Sequence, residues 1–293
     1  GTSDRGVNRQ ILWLAVPNVI ASLSDPLVGV VDTALVGHLP KVAYMGAVAV
    51  GSVLFEMMFW GFGFLRMGTT SLAAQYYGAG QRRSCAALLY QKALMASAIG
   101  LLLVLAQDLI ADMGFRLAGG TEEVSLWGRR YFEIRIYAAP IVLLNLVLIG
   151  FFRGIADAIT PMWMAILVNV VNVVADYILI YGKFGAPELG VLGAAWASVL
   201  AVACGLVFGL AVLVLRYRVY LVARPDSLFD RGRLARLVTT NFNLFGRTAC
   251  LLYARFLMLA LAARMGEVPL AANAVAWQIW SLVSYVVDGL AFA

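Results

Sequence analysis

The sequence predicts an all-α polytopic membrane protein: a six-helix N-terminal lobe followed by the first two helices of a second, pseudo-symmetric lobe. Three observations carry this expectation. Hydrophobic residues make up 62% of the 293 and charged residues 13%, against roughly 45–50% and about 25% in soluble domains, and the mean hydropathy is +0.87. Eight apolar runs are each long enough to cross a bilayer, which takes about 20 residues. One long hydrophilic connection, "RYRVYLVARPDSLFDRGRLAR" from Arg216 to Arg236, divides the first six runs from the last two.

The runs cover residues 9–37, 43–76, 85–117, 124–153, 158–182, 190–216, 234–264 and 269–293. Several exceed what a bilayer requires, which predicts tilt or protruding ends. The first is too long for the apolar core of a signal peptide and is read as an uncleaved helix. Pro17 and Pro26 interrupt it, each removing a backbone donor and favouring a bend. Gly29 and Gly37 lower its stiffness further, and His38 ends it as an interfacial or capping residue. Short polar segments such as "LPKV", "YGAGQRRS", "LAGGTEEV" and "GKFGAPELG" separate the rest. The domain reading is therefore a lobe over 1–216, a basic linker over 217–233 and a partial second lobe over 234–293.

Orientation follows from the arginines. With the N-terminus inside, inner segments hold eleven: Arg5, Arg9, Arg82, Arg83, Arg153, Arg216, Arg218, Arg224, Arg231, Arg233 and Arg236. Outer loops hold Lys41, Arg116, Lys183 and Arg264, or seven cations when Arg129, Arg130 and Arg135 are added. That surplus predicts a cytoplasmic N-terminus. The same bias accounts for the net charge of +6 without a nucleic-acid partner.

An internal echo points to a repeat. "AVAVGSVLFEMMFWGFG" (47–63) and "AVAWQIWSLVSYVVDGL" (274–290) begin alike, and each follows a helix and a short outer loop. Transporter repeats show weak symmetry of this kind. A complete second copy needs about four more spans, so we expect one complete lobe and the start of another within a longer protein.

Two of the aspartates inside the spans stand out, Asp32 in the first and Asp176 in the fifth. An ionisable group in a bilayer is costly and usually lines an ion or substrate path. On the fifth span Asn169, Asn172 and Asp176 stand at i, i+3 and i+7, one stripe of a helix. Their carbonyl and carboxylate oxygens suit Na⁺ or a hydrogen-bonded proton, with helix–helix packing as the plain alternative for Asn169. Asp32 sits on the proline-interrupted first helix, so its protonation or ion binding has a bendable element to bias. Asp25 lies seven residues earlier on nearly the same face and either shares the cavity or approaches the bundle surface. Asp288, deep in the eighth span, reads as an ion-pair partner of Arg247 or Arg255, or as a cavity residue. Met58 belongs to a set of methionines and aromatics that suit a permissive pocket, though packing or lipid contact is their commoner role. For Glu56, Arg66, Arg130, Glu133 and Arg135, pairing within or between helices is expected.

No enzymatic constellation emerges. There is no phosphate-binding GxxxxGK[ST] loop, no HExxH and no nucleophile with a histidine partner. Cys85, Cys204 and Cys250 lie in apolar runs with no CxxC spacing and read as small core residues. Without a nucleotide site or cofactor, an ion gradient of H⁺ or Na⁺ is the expected energy source.

Several ordered segments carry a family resemblance: "VVDTALVGHL" around Asp32, "FLRMGTTSLAAQYYGA" (64–79), "RRYFEIRIYAAP" (129–140), "RGIADAITP" (153–161), "NVVADYILIYG" (172–182) and "DGLAFA" (288–293). Together they resemble the multidrug and toxic compound extrusion (MATE) family, in its bacterial DNA-damage-inducible (DinF) subgroup. The resemblance implies twelve helices in two six-helix lobes, and a monomer embedded in lipid in the bacterial inner membrane. It implies export of small organic, often cationic, compounds in exchange for H⁺ or Na⁺, with the remaining helices of the second lobe as this chain's partner. It carries the N-lobe cation site onto Asp32, Asn172 and Asp176, the residues that would hold Na⁺, and helix bending onto Pro17. In "RGIADAITP", Ala158 and Ile159 replace the family's more usual polar residues. Two rival readings stand beside this one: a lipid-linked precursor flippase of related architecture, and a membrane scaffold or receptor without a transport cycle.

Overall fold

A computed structural model of the chain describes residues 16–20, 34–39, 42–118, 121–222 and 231–265, with scattered positions between 272 and 287. Among the described residues the regular structure is helical: α1 (Val42–Gly61), α2 (Gly63–Gly78), α3 (Arg82–Leu105), α4 (Gln107–Ala118), α5 (Glu122–Ile136), α6 (Ala139–Gly154), α7 (Ile159–Tyr181), α8 (Val191–Arg216), α9 (Val219–Val222) and α10 (Arg231–Met265). The all-helical, multi-pass expectation holds. Helices α3, α7 and α8, and α1 with α2 taken together over Ala43–Gly78, are each long and apolar enough to cross a membrane, and α5 with α6 makes a bent fifth span.

Three runs that pattern reads as single spans are broken. Run 43–76 divides at Phe62, between Gly61 and Gly63, where a short turn carries Phe62 N–H to Phe59 C=O at 3.0 Å. Run 85–117 divides at Ala106 into α3 and α4. Run 124–153 divides at Tyr137–Ala138, and α5 and α6 meet at 53°. Pro140 explains the last, because its ring has no N–H and excludes the carbonyl four residues earlier. The excess length of these runs is thus taken up by breaks, beside any tilt.

In lipid, association rests on close packing and interhelical hydrogen bonds, because lipid tails are as apolar as the helices themselves. Small residues set the crossings. Helices α7 and α8 pack along their length, and a Cβ on Gly193 would stand 2.6 Å from the Leu179 carbonyl group. Helix α2 lies on α6 in the same way, with Gly150 facing the Arg66 carbonyl oxygen at 2.5 Å from where its Cβ would be. Two apolar clusters result. One, toward the arginine-rich end, joins Leu65, Leu72, Leu88, Leu143, Phe151, Phe152 and Tyr220. The other joins Val36, Phe55, Tyr131, Phe132, Ile136, Ile180 and Val191, with Phe55 stacked on Phe132 at 4.7 Å. Leucines and valines such as Leu101, Leu102, Leu105, Val207 and Leu215 are exposed, as a lipid-facing belt requires.

Candidate functional site

Helix α7 carries the site, and both its ends are fixed. At its start the Asp157 carboxylate accepts the N–H groups of Ile159 (3.1 Å) and Thr160 (3.0 Å), and the Thr160 hydroxyl at 2.6 Å. These are donors that a helix start leaves without intrahelical partners. At its end Gly182 takes the left-handed conformation, φ 63°, where glycine has no Cβ penalty. Between them one face is buried: Thr160, Pro161, Met164, Asn172, Asp176 and Ile180.

Asp176 is 0% exposed and Asn172 5%. Asn172 Nδ2 donates to Asp176 Oδ2 at 3.0 Å, the one-turn neighbour relation expected of i and i+4. Asn169 is half-buried, and its Nδ2 has no hydrogen-bond partner among the described residues. The structure therefore brings Asn172 and Asp176 together and leaves Asn169 outside their hydrogen bond. Tyr181, one turn beyond Asp176, donates its hydroxyl to the Leu35 carbonyl at 2.7 Å. Val36 is 1% exposed in the same cluster as Ile180. The end of the first run thus docks beside the end of α7. Pro17 is buried within a helical turn over 16–20. Met58 packs against the cluster around Phe55. Asp25, Pro26, Asp32 and Asp288 lie outside the described residues.

Chemically, a lipid-sheltered carboxylate beside an amide offers hard oxygen donors, which suit a proton or a small hard cation. Among the described residues no group of three or more His, Cys, Asp or Glu side chains gathers.

The MatE family model matches residues 17–178, a segment that contains the Asn172–Asp176 pair. The chain belongs to the MATE family. It is 36% identical over 286 residues to the DNA damage-inducible protein F of Escherichia coli K12, covering 96% of this chain and 61% of that protein. It is 29% identical over 200 residues to a probable multidrug resistance protein NorM of Thermotoga maritima, covering 67% of this chain and 42% of that one. In fold it matches a MOP superfamily transporter from Pyrococcus furiosus with a TM-score of 0.83 at 23% identity, over 97% of this chain and 62% of that one. The chain thus spans less than two thirds of the length of these proteins.

Within this MATE chain two polar features escape a reading of the spans for acids. Lys92, in the third span, is 0% exposed, and its Nζ donates to Asn241 Oδ1 on α10 at 2.6 Å. Gly68 of α2 leaves room for the contact, since a Cβ there would stand 2.7 Å from Asn241 Oδ1 and 3.1 Å from Lys92 Nζ. The second feature is Asp157. Beyond the α7 N–H groups its Oδ2 accepts the Tyr217 hydroxyl at 2.7 Å, with Arg216 Nη1 at 3.9 Å. It therefore ties the α6–α7 connection to the end of α8. Burial and then the Asp157 carboxylate push the Tyr217 phenol well above its ordinary value of 10.0. Of the other charges in the spans, Glu133 pairs within its helix as expected, whereas Arg135 and Arg255 meet a hydroxyl or aromatic rings. Arg129 meets Glu133 at 3.3 Å and also Asp112. Arg135 Nη1 donates to the Tyr131 hydroxyl at 2.6 Å and lies over the Phe55 ring at 5.0 Å. Arg255 lies over Trp277 at 4.1 Å.

Proposed function

We propose that the full protein is a cation-coupled antiporter that exports small organic compounds, often cationic, by alternating access. The observation that carries this reading is the fully buried Asp176 carboxylate, hydrogen-bonded by Asn172 in a predominantly apolar span. Such a carboxylate is costly where it sits, and binding a proton or Na⁺ offsets that cost. Binding then favours whichever conformation presents the site, and that differential affinity is all that coupling requires. No covalent step is involved.

In this reading Asp32 supplies the second carboxylate. The Tyr181–Leu35 hydrogen bond supports it, because Asp32 precedes Leu35 by three residues and Asp176 precedes Tyr181 by five. Bending of the first helix at Pro17 and Pro26 would transmit cation binding to a cavity between the lobes. Met58, Asp25 and Asp288 are candidates for that cavity, and Asn169 for a polar neighbour of the cation. The arginine bias supports an inner-membrane protein with a cytoplasmic N-terminus. The names of the relatives, multidrug resistance among them, support export of organic compounds. The remaining helices of the second lobe complete the monomer.

The test is accumulation of a fluorescent organic cation in an efflux-deficient bacterium expressing the full-length protein. Expression is expected to lower accumulation several-fold, and dissipating the H⁺ and Na⁺ gradients is expected to restore it. Unchanged accumulation of chemically varied organic cations, with the protein present in the membrane, contradicts the reading.

A further inference from the structure

At the arginine-rich end of the bundle a cleft of about 610 Å³ opens between the end of α2, the start of α3 and α9, lined by Tyr77, Gln81, Arg82, Cys85, Tyr217 and Tyr220 among others. Its walls are held in place. Tyr90 of α3 donates its hydroxyl to the Leu221 carbonyl of α9 at 2.8 Å. Tyr220 packs edge-on to Phe151 at 5.4 Å. Tyr217 is fixed by its hydrogen bond to Asp157.

Three features give the cleft its chemistry. Arg82 is exposed at its edge and is the one cation among the described lining residues, which include no acid. The cleft also meets the first turn of α3, a 24-residue helix whose positive end favours an anion. Finally, Tyr220 is 6% exposed, yet its hydroxyl makes no hydrogen bond among the described residues and borders the cleft. That hydroxyl keeps an unused donor, which a ligand oxygen in the cleft would accept. Arg83, Arg216 and Arg218 stand exposed nearby, and among the described residues the neighbouring carboxylate of Asp157 is already engaged by Thr160 and Tyr217.

We propose that this cleft binds a phosphate group, with the Arg82 guanidinium and the Tyr220 hydroxyl as its donors. Because Arg82 begins a membrane span, the cleft lies where lipid headgroups lie. A phospholipid or a soluble phosphate ester would present the same chemistry.

The test uses the full-length protein in detergent and measures binding of phosphatidic acid by native mass spectrometry. Diacylglycerol serves as the phosphate-free comparison and glycerol 3-phosphate as the soluble competitor. Arg82→Gln is expected to weaken phosphatidic acid binding about tenfold, the scale of one charge-assisted hydrogen bond. Tyr220→Phe, which keeps the ring on Phe151, is expected to weaken it several-fold. Arg116→Gln, near the opposite end of the bundle, is expected to leave it unchanged, and diacylglycerol is expected to be indifferent to all three. Competition by glycerol 3-phosphate at equal affinity assigns the site to soluble esters, and failure to compete assigns it to lipid. Binding that survives both cleft substitutions overturns the proposal. So does loss on Arg82→Gln without loss on Tyr220→Phe, or equal loss on Arg116→Gln, since a merely basic surface would behave in those ways.

Discussion

Lys92 of α3 and Asn241 of α10 are joined by a 2.6 Å hydrogen bond although 149 residues of chain separate them. Each lies ten residues into its helix, counted from Arg82 and Arg231, so the two stand at matching depths of about 15 Å. The contact fastens α3 to α10, across the basic connection that follows α9.

Its energetics are asymmetric. Asn241→Leu leaves Lys92 Nζ buried without its acceptor, which costs roughly 1–3 kcal/mol. Removing both groups with Lys92→Met and Asn241→Leu together recovers most of that loss, because no buried polar atom is stranded. Thermal melting of the full-length protein in detergent measures both. A double variant as unstable as Asn241→Leu alone contradicts this account of the contact.

The α7–α8 crossing predicts a contrast between two glycines. Gly193→Ala places a methyl 2.6 Å from the Leu179 backbone, whereas nothing lies within 4 Å of a Cβ on Gly61. Overpacking of a tight contact costs about 1–3 kcal/mol. At Gly61, the half-buried last residue of α1 with open space around its Cα, alanine is expected to be neutral or stabilising by up to about 1 kcal/mol. Comparing the melting temperatures of the two variants checks the crossing, and equal temperatures would remove close approach as its cause.

Asp157 and Tyr217 give a pH dependence. The folded-state phenol titrates above its ordinary value, raised by burial and by the carboxylate. Its stabilising contribution is therefore intact below about pH 10 and declines as pH climbs toward the folded-state value. Tyr217→Phe is expected to flatten the loss of stability in that alkaline window, and to remove one late-titrating phenol from the ultraviolet titration. Asp157→Ala strands the Tyr217 and Thr160 hydroxyls and is expected to cost about 2 kcal/mol. An alkaline profile unchanged by Tyr217→Phe would show that this phenol titrates normally.

At the site itself, Asn172→Leu removes the donor 3.0 Å from Asp176 while keeping a similar volume on a packed face. Coupled export is expected to fall at least several-fold with the protein still present in the membrane. Asn169→Leu is expected to have a smaller effect, because Asn169 stands outside that hydrogen bond. Equal effects of the two would argue for a broad polar surface rather than a defined pair.

The spans and the α7 site were legible because an acid stands out within twenty-odd apolar residues, and because i, i+4 spacing fixes which groups meet. Lys92 obeys the same rule within an equally apolar helix. It is easily passed over beside Arg82 and Arg83, since a lysine near a helix end can send its amine to the interface. Its actual partner lies on α10, far along the chain, and spacing along one helix does not reveal that contact. The bend at Tyr137–Ala138 is announced by Pro140. The break at Ala106 carries no proline or glycine of its own, and local sequence does not mark it. The role of Asp157 depends on Tyr217 arriving from the far end of α8, which again only the packed structure shows.

The central claim is that Asp176, with Asn172, takes up the coupling cation. The most direct measurement is uptake of a fluorescent organic cation by proteoliposomes of the full-length protein, driven by an imposed proton or sodium gradient. The account predicts gradient-driven movement in the parent protein and its loss in Asp176→Asn, with binding of the organic cation retained. Gradient-driven transport at the parent rate in Asp176→Asn would contradict it.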